Sequence, residues 1–296
     1  MSGPARDTAV LGLGQMGGGI ARHLDEAGLL AAAWDPRAEA RRAFESRNDV
    51  MVGAPAAIAA ACRRFVFVVP STKEIADCLS GAGDMLGQIA AGSVVLDLTT
   101  SDPGESGKLA ALVATRGADY VDCGMTGGAA GADAGTLTLM IGGAADAIER
   151  CRDLFACFTG QIFHVGPQGS GHALKLIHNM VLHAMFLANC EGVRAAGRFG
   201  IDARAVIDVF NAGNARSYSS QVRFPDHILS GTWDARSRVS NLEKDVRMAA
   251  EMSARIGAPT PFGDLAASLL ARALRAGMAD TDFSRLYEAF DELAKN

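Results

Sequence analysis

The sequence predicts an α/β protein in two parts. A mostly parallel, doubly wound sheet fills residues 1–166, and an all-helical domain fills 167–296, joined to it by one long connector helix. Three observations carry this prediction. Short apolar runs alternate with helical patterns through the first half, as in sheets covered on both faces. Strand signals nearly vanish after "QIFHVG" (161–166). The length of 296 residues also exceeds what one hydrophobic core usually organises.

The elements follow in order. "TAVLGLG" (8–14) reads as a buried strand running into a glycine turn, and "GGGIARHLDEAG" continues as a helix with Ile20, Ala21 and Leu24 on one face and Gly28 as its stop. "LLAAAWD" (29–35), "RRFVFVVP" (63–70) and "SVVLDLTT" (93–100) are further continuous apolar strands. "DYVDC" (119–123) and "TLTLMIGG" (136–143) add two more. Beyond the boundary near Gly166, helices are expected over 170–197, 202–212, 216–229, 240–256, 261–276 and 283–294.

Composition narrows the function. A net charge of −5 and 6% aromatics give no reason to expect nucleic acid or an anionic membrane as a partner. The six cysteines form no CxxC pair and no metal spacing, and they sit in apolar segments as small hydrophobes. "MSGPARDTAV" lacks the basic and apolar regions of a secretory signal, so a cytoplasmic, reducing location is expected. The connector helix is a poor membrane span, because Lys175, His178, Asn179, His183 and Asn189 would be costly in lipid.

"GLGQMG" (Gly12, Leu13, Gly14, Gln15, Met16, Gly17) is a G-x-G-x-x-G run directly after a strand and opening a helix. Such glycines permit a tight turn and close backbone approach, placing a pyrophosphate at the positive end of the helix. Asp35 ends the second strand, where an acid meets the adenosine ribose hydroxyls and repels a 2′-phosphate. A dinucleotide is therefore expected, NAD before NADP, with Arg37 keeping the phosphorylated cofactor open. In the second glycine cluster, "DCGMTGG", the amides of Thr126, Gly127 and Gly128 either cradle a carboxylate or merely satisfy turn geometry.

Taken together, "GLGQMG", "DCGMTGG", "GSGHALKLIHN" (169–179) and "KDVRMA" (244–249) resemble, in order and spacing, the signatures of the β-hydroxyacid dehydrogenases. That family includes 3-hydroxyisobutyrate dehydrogenase and tartronate semialdehyde reductase and is related to 6-phosphogluconate dehydrogenase. The resemblance spans essentially the whole chain. It implies a Rossmann-type N-terminal domain, a helical C-terminal domain and an active site in the cleft between them. It further implies cofactor contacts at the glycine loop, Val69, Pro70, Thr100 and Lys244, and a substrate carboxylate on Thr126, Gly127 and Gly128. Lys175 matches the family's catalytic lysine, and Asn179 the asparagine one turn on.

Elementary chemistry agrees with this assignment. Oxidising an alcohol carbon to a carbonyl requires a proton to leave its oxygen, through a group that can exchange protons near neutral pH. A free lysine titrates at about 10.4, and an apolar helix is expected to lower that value by desolvating the ammonium. His178 is the competing base, with a hydrogen-bonded structural role as its alternative.

Two departures bear on the substrate. Thr126 stands where the family usually has serine. About seven positions before Lys244, Ser237 between Arg236 and Arg238 replaces an aromatic or aliphatic residue. Either arginine facing the cleft would pair with a second anion, such as a carboxylate, sulfonate or phosphonate; a solvated loop is the alternative. An imine reductase or an inactive dinucleotide-binding scaffold would share the architecture, but the retained Lys175 argues against both. A 6-phosphogluconate-type decarboxylase usually has a longer helical domain. A homo-oligomer, dimer or tetramer, is expected from the apolar connector helix.

Overall fold

The computed structural model describes residues 6–47, 49–81 and 83–295. The extreme N-terminus, where a signal segment was sought, lies outside them. Packing divides the chain into two compact units, one running to Lys175 and one from Leu176 to Asn296.

The first unit is an eight-stranded sheet. Its strands are β1 (Thr8–Leu11), β2 (Leu30–Trp34), β3 (Met51–Val52), β4 (Arg64–Phe67), β5 (Val94–Asp97), β6 (Asp119–Thr126), β7 (Leu137–Gly142) and β8 (Thr159–Gly166), in the spatial order β3-β2-β1-β4-β5-β6-β7-β8. Neighbours run parallel except at the antiparallel β6–β7 pair. Side chains alternate across the sheet, which explains why its strands read as unbroken apolar runs. Val10, Val66 and Leu96 join one buried cluster, whereas Ala9, Leu11, Phe65, Phe67 and Val95 join the cluster on the opposite face. The two-residue β3 was not expected from the sequence, because a strand this short carries no periodicity.

The connector helix runs from Ser170 to Arg198. Its first turns pack with the sheet, and the compact units meet within the helix, after Lys175. The reason is local. The Asp122 carboxylate on β6 accepts from the backbone amides of Gly169 (2.6 Å) and His172 (2.8 Å), two of the donors a helix N-terminus leaves unpaired.

In the second unit the Ala203–Ala212, Val239–Arg255, Pro261–Arg275 and Leu286–Leu293 helices surround one core with the rest of the connector. Phe186 of the connector packs edge-on against Phe283, with ring centroids 5.1 Å apart. The predicted 216–229 helix is present as a π-helix over Ser219–Ile228.

The connector buries Leu176, Phe186, Leu187, Cys190 and Val193, but its remaining apolar and polar residues do not follow the usual inward and outward division. Leu174, Ile177, Val181 and Met185 form an exposed stripe, whereas Lys175, Asn179 and His183 are buried. Here the polar stripe faces inward.

Candidate functional site

Because β1, β2, β4, β5 and β6 are parallel, the loops leaving their C-terminal ends share one edge of the sheet. That edge collects the glycine loop, Asp35 with Arg37, Val69 with Pro70, and Thr100. The order β2-β1-β4 reverses direction between β1 and β4, which is where ligands bind in open sheets of this kind.

The three loop glycines have different reasons to be glycine. Gly12 has φ +97°, and a Cβ there would meet the Val68 carbonyl oxygen at 2.2 Å; a Cβ on Gly17 would meet the Gly12 oxygen at 1.8 Å. The fold itself demands those two. Gly14 has φ −71°, and its Cβ would find only ordinary contact with Arg37 at 3.8 Å. Nothing among the described residues requires glycine there, and a bare backbone at a helix N-terminus is what an approaching pyrophosphate needs. Gly12→Ala is therefore expected to destabilise by about 2 kcal/mol or more through clash and strain. Gly14→Ala should melt within a degree or two of the parent yet bind NAD at least about tenfold more weakly, since one displaced phosphate contact is worth roughly that much. Thermal melts and NAD titrations of the two variants would check the contrast.

Asp35 follows β2 and is 3% exposed. Its Oδ2 accepts from the Leu13 amide at 2.8 Å, and its Oδ1 from the Arg37 amide and Nε, both at 2.9 Å. Burial pushes the carboxyl up, but Arg37 and the Leu13 amide outweigh it and hold Asp35 below the ordinary aspartate range. The acid thus stays ionised while holding the glycine loop. Val69 packs over the same loop, its Cγ1 being 3.0 Å from where a Gly12 Cβ would stand.

Thr126 ends β6 opposite Thr138 of β7, and Gly127 and Gly128, both exposed, turn the chain out of the strand. Lys175 is 8% exposed. A Cβ added to Gly124 would meet the Lys175 Cβ at 2.5 Å and the Gly171 oxygen at 2.9 Å, so the lysine stem lies directly on β6. Gly124 and Thr126 are two residues apart in one strand and share a face.

Below the helix start lies a buried polar group that sequence reasoning missed. Asp97 accepts from the Tyr120 hydroxyl at 2.6 Å and from the Thr99 amide at 2.8 Å; His172 bridges the Asp97 carbonyl and the Ser106 hydroxyl, both at 3.2 Å. Burial leaves the Asp122 carboxyl above its ordinary value despite the neighbouring His172 and the two amides. Burial also pushes the Cys123 thiol well up, so it is an inert core residue.

In the helical unit, Asn179 donates to Asp245 Oδ2 at 2.7 Å and meets His178 Nδ1 at 3.0 Å through its Oδ1. Lys244 Nζ stands 3.1 Å from Asp245 Oδ1. Asp245 therefore links two of the expected site residues, and its only sequence signal was adjacency to Lys244. Arg236 and Arg238 lie on an exposed loop, where Arg238 pairs with Asp280 at 2.9 Å and the Arg236 amide donates to Asp282 at 2.9 Å.

A doubly wound sheet with a bare glycine loop, an ionised acid after β2 and a helix-borne lysine against β6 defines an NAD(P)-dependent oxidoreductase. A family model described as the NAD binding domain of 6-phosphogluconate dehydrogenase matches residues 7–166, and one described as NAD-binding of NADP-dependent 3-hydroxyisobutyrate dehydrogenase matches residues 169–290. The chain belongs to the β-hydroxyacid dehydrogenase family, whose members act on CH–OH groups. It is 29% identical to the NAD-dependent L-serine dehydrogenase of Pseudomonas aeruginosa, covering 97% of this chain and 98% of the relative. Human mitochondrial 3-hydroxyisobutyrate dehydrogenase is 27% identical over 95% of this chain and 86% of its own. The structure of a Mycobacterium tuberculosis 3-hydroxyisobutyrate dehydrogenase with L-serine superposes with a TM-score of 0.88 at 26% identity, covering 97% and 99% of the two chains. No helix among the described residues is long and apolar enough to cross a membrane.

Proposed function

We propose that this chain oxidises a small 3-hydroxy acid, or reduces the matching semialdehyde, without decarboxylation, and that Lys175 carries the proton. The observation that carries this reading is the seat of the Lys175 stem on Gly124, on the β6 face that Thr126 shares. A substrate carboxylate held by the Thr126 hydroxyl and the Gly127 and Gly128 amides points its hydroxyl-bearing carbon toward the lysine. In oxidation Lys175 Nζ takes the hydroxyl proton; in reduction it returns it. The bound dinucleotide supplies the hydride acceptor or donor. Asn179, one turn along the helix, orients the reacting oxygen, and its amide is itself oriented by Asp245 and His178.

The cofactor preference rests on Asp35. An ionised carboxylate at the end of β2 favours a ribose diol over a 2′-phosphate, and Arg37 is engaged by that same acid. Rates with NAD are expected to exceed those with NADP by about tenfold or more, and Asp35→Ser should narrow or invert the ratio by releasing Arg37, since one such charge contact is worth roughly that factor. The exposed stripe of Leu174, Ile177, Val181 and Met185 supports a homo-oligomer that buries it. Sedimentation of the purified protein tests that part.

Initial rates at 340 nm test the function, using NAD or NADP with 3-hydroxyisobutyrate, glycerate, serine and dianionic 3-hydroxy acids. Turnover with NAD supports the reading. Tight NAD binding without turnover of any hydroxy acid would sink it.

A further inference from the structure

We propose that His172 is a positioning residue for the reaction, tying the first turn of the helix that carries Lys175 to the β5 loop that carries Thr100. The inference rests on the hydroxy-acid function proposed above and adds a residue to that same site.

His172 is fully buried and is held by two neighbouring strands. Asp97 ends β5 and pairs in register with Asp122 of β6, and both acids are fully buried. Asp122 accepts from the His172 main-chain amide at 2.8 Å. The ring turns to the other strand. Its Nε2 lies 3.2 Å from the Asp97 carbonyl oxygen, and its Nδ1 lies 3.2 Å from the Ser106 hydroxyl on the Pro103–Ala114 helix. A carbonyl only accepts, so Nε2 carries the proton of that bond. Backbone and side chain of one residue thus join the helix start to β6 and to β5.

Asp97 also fixes the chain that follows β5. Its Oδ1 accepts from the Thr99 amide at 2.8 Å and from the Thr99 hydroxyl, which accepts in turn from the Ser101 hydroxyl. The Tyr120 hydroxyl donates to Oδ2 at 2.6 Å. Thr100, the expected cofactor contact, stands between the two pinned residues. Asp97 therefore holds the loop through its carboxylate and the helix through its carbonyl.

Lys175 follows His172 by three residues, which makes the two neighbours on the helix surface. Steric contact sets how close this turn lies to the sheet: a Cβ on Gly171 would meet the Asp122 and Met140 carbonyl oxygens at 2.5 Å. Contact of that kind limits approach but does not stop a helix from rolling or sliding. The directed bond from His172 to Asp97 does, and it sets the place of the lysine relative to β5. An apolar side chain would fill a fully buried position without the need to satisfy two ring nitrogens. What the bonded ring supplies instead is geometry.

The test measures initial rates with NAD and whichever hydroxy acid turns over fastest, for His172→Gln, His172→Asn and His172→Leu. Glutamine puts its amide nitrogen near the place of the imidazole Nε2 and keeps the Asp97 bond, whereas asparagine reaches only the place of Nδ1. His172→Gln is expected to keep kcat within about fivefold of wild type, the worth of the one bond lost to Ser106. His172→Asn and His172→Leu should lower kcat on the order of 100-fold, the cost of misplacing a reacting group by about 1 Å. The KM values for NAD and the hydroxy acid should stay within about threefold in all three, since ligand binding is not what the residue serves. Glutamine and asparagine both bury one amide, so their comparison does not depend on the leucine variant folding. Glutamine no faster than asparagine overturns the assignment, and so does a leucine variant as fast as wild type. So do kcat and both KM values worsening together as the melting temperature falls, which is what a merely structural role would produce. In each of these cases wild-type turnover leaves the hydroxy-acid function standing. No turnover by wild type, with NAD bound, sinks both.

Discussion

Lys175→Ala is expected to lower kcat by about a thousandfold while leaving the NAD dissociation constant within a factor of about three, because proton transfer by a positioned side chain contributes roughly 100- to 10,000-fold. The separation follows from where the residues lie. The groups proposed to hold the dinucleotide, Gly14 and Asp35 with its hold on Leu13, follow β1 and β2, whereas Lys175 is carried by the connector helix on β6. Removing the amine leaves the glycine loop untouched. Stopped-flow absorbance at 340 nm for the chemical step and a fluorescence titration for NAD would measure the two quantities independently. Loss of NAD binding in parallel with turnover would show instead that Lys175 is part of the cofactor site. Unchanged turnover would remove it from the chemistry altogether. Lys175→Arg separates charge from proton exchange, since a guanidinium stays protonated at any accessible pH. It should be nearly as inactive as the alanine variant.

Gly124→Ala is expected to produce the second large effect, through position alone. One added methyl would stand 2.5 Å from the Lys175 Cβ and 2.9 Å from the Gly171 oxygen, neither of which is the far end of a flexible chain. The connector helix must therefore move off β6. A shift of about 1 Å costs on the order of 100-fold in rate, and overpacking costs about 1–3 kcal/mol in stability. The variant should still bind NAD, since Gly124 lies on β6 and not in the β1 loop. Measured kcat, melting temperature and NAD affinity would then divide as low, lowered and retained. Full activity in Gly124→Ala would mean that the closeness of helix and strand is not what positions the lysine.

The two glycine clusters show what was legible and why. Gly12 and Gly17 obey a local rule, in which a strand must turn at once into a helix, and G-x-G-x-x-G records it within six residues. Asp35 could be placed by counting along the next strand. Gly124 obeys no local rule. It is glycine because a helix beginning more than forty residues later presses on it, and nothing in "DCGMTGG" states that. The same holds for Asp122, which reads as a strand residue yet caps the connector helix. It holds equally for Asp245, whose neighbour Lys244 carried the motif while Asp245 itself meets Asn179.

Pattern alone sufficed for the fold class, the glycine loop between β1 and its helix, the acid after β2 and the helix that carries Lys175. Each depends on interactions between residues near in sequence: the two-residue repeat of strands, the 3.6-residue repeat of helices and the sterics of a turn. The tertiary structure decided which way the connector helix faces. At 3.6 residues per turn Lys175, Asn179 and His183 fall on one stripe, a count that does not say whether water or protein meets it; packing turned these three inward and left Leu174, Ile177, Val181 and Met185 outside. It also brought Arg223 within 4.7 Å of the Phe283 ring centroid, while Arg236 and Arg238 stay exposed. The arginine that meets an aromatic face depends on the Phe283 ring, sixty residues along the chain, and no local repeat encodes a contact of that range.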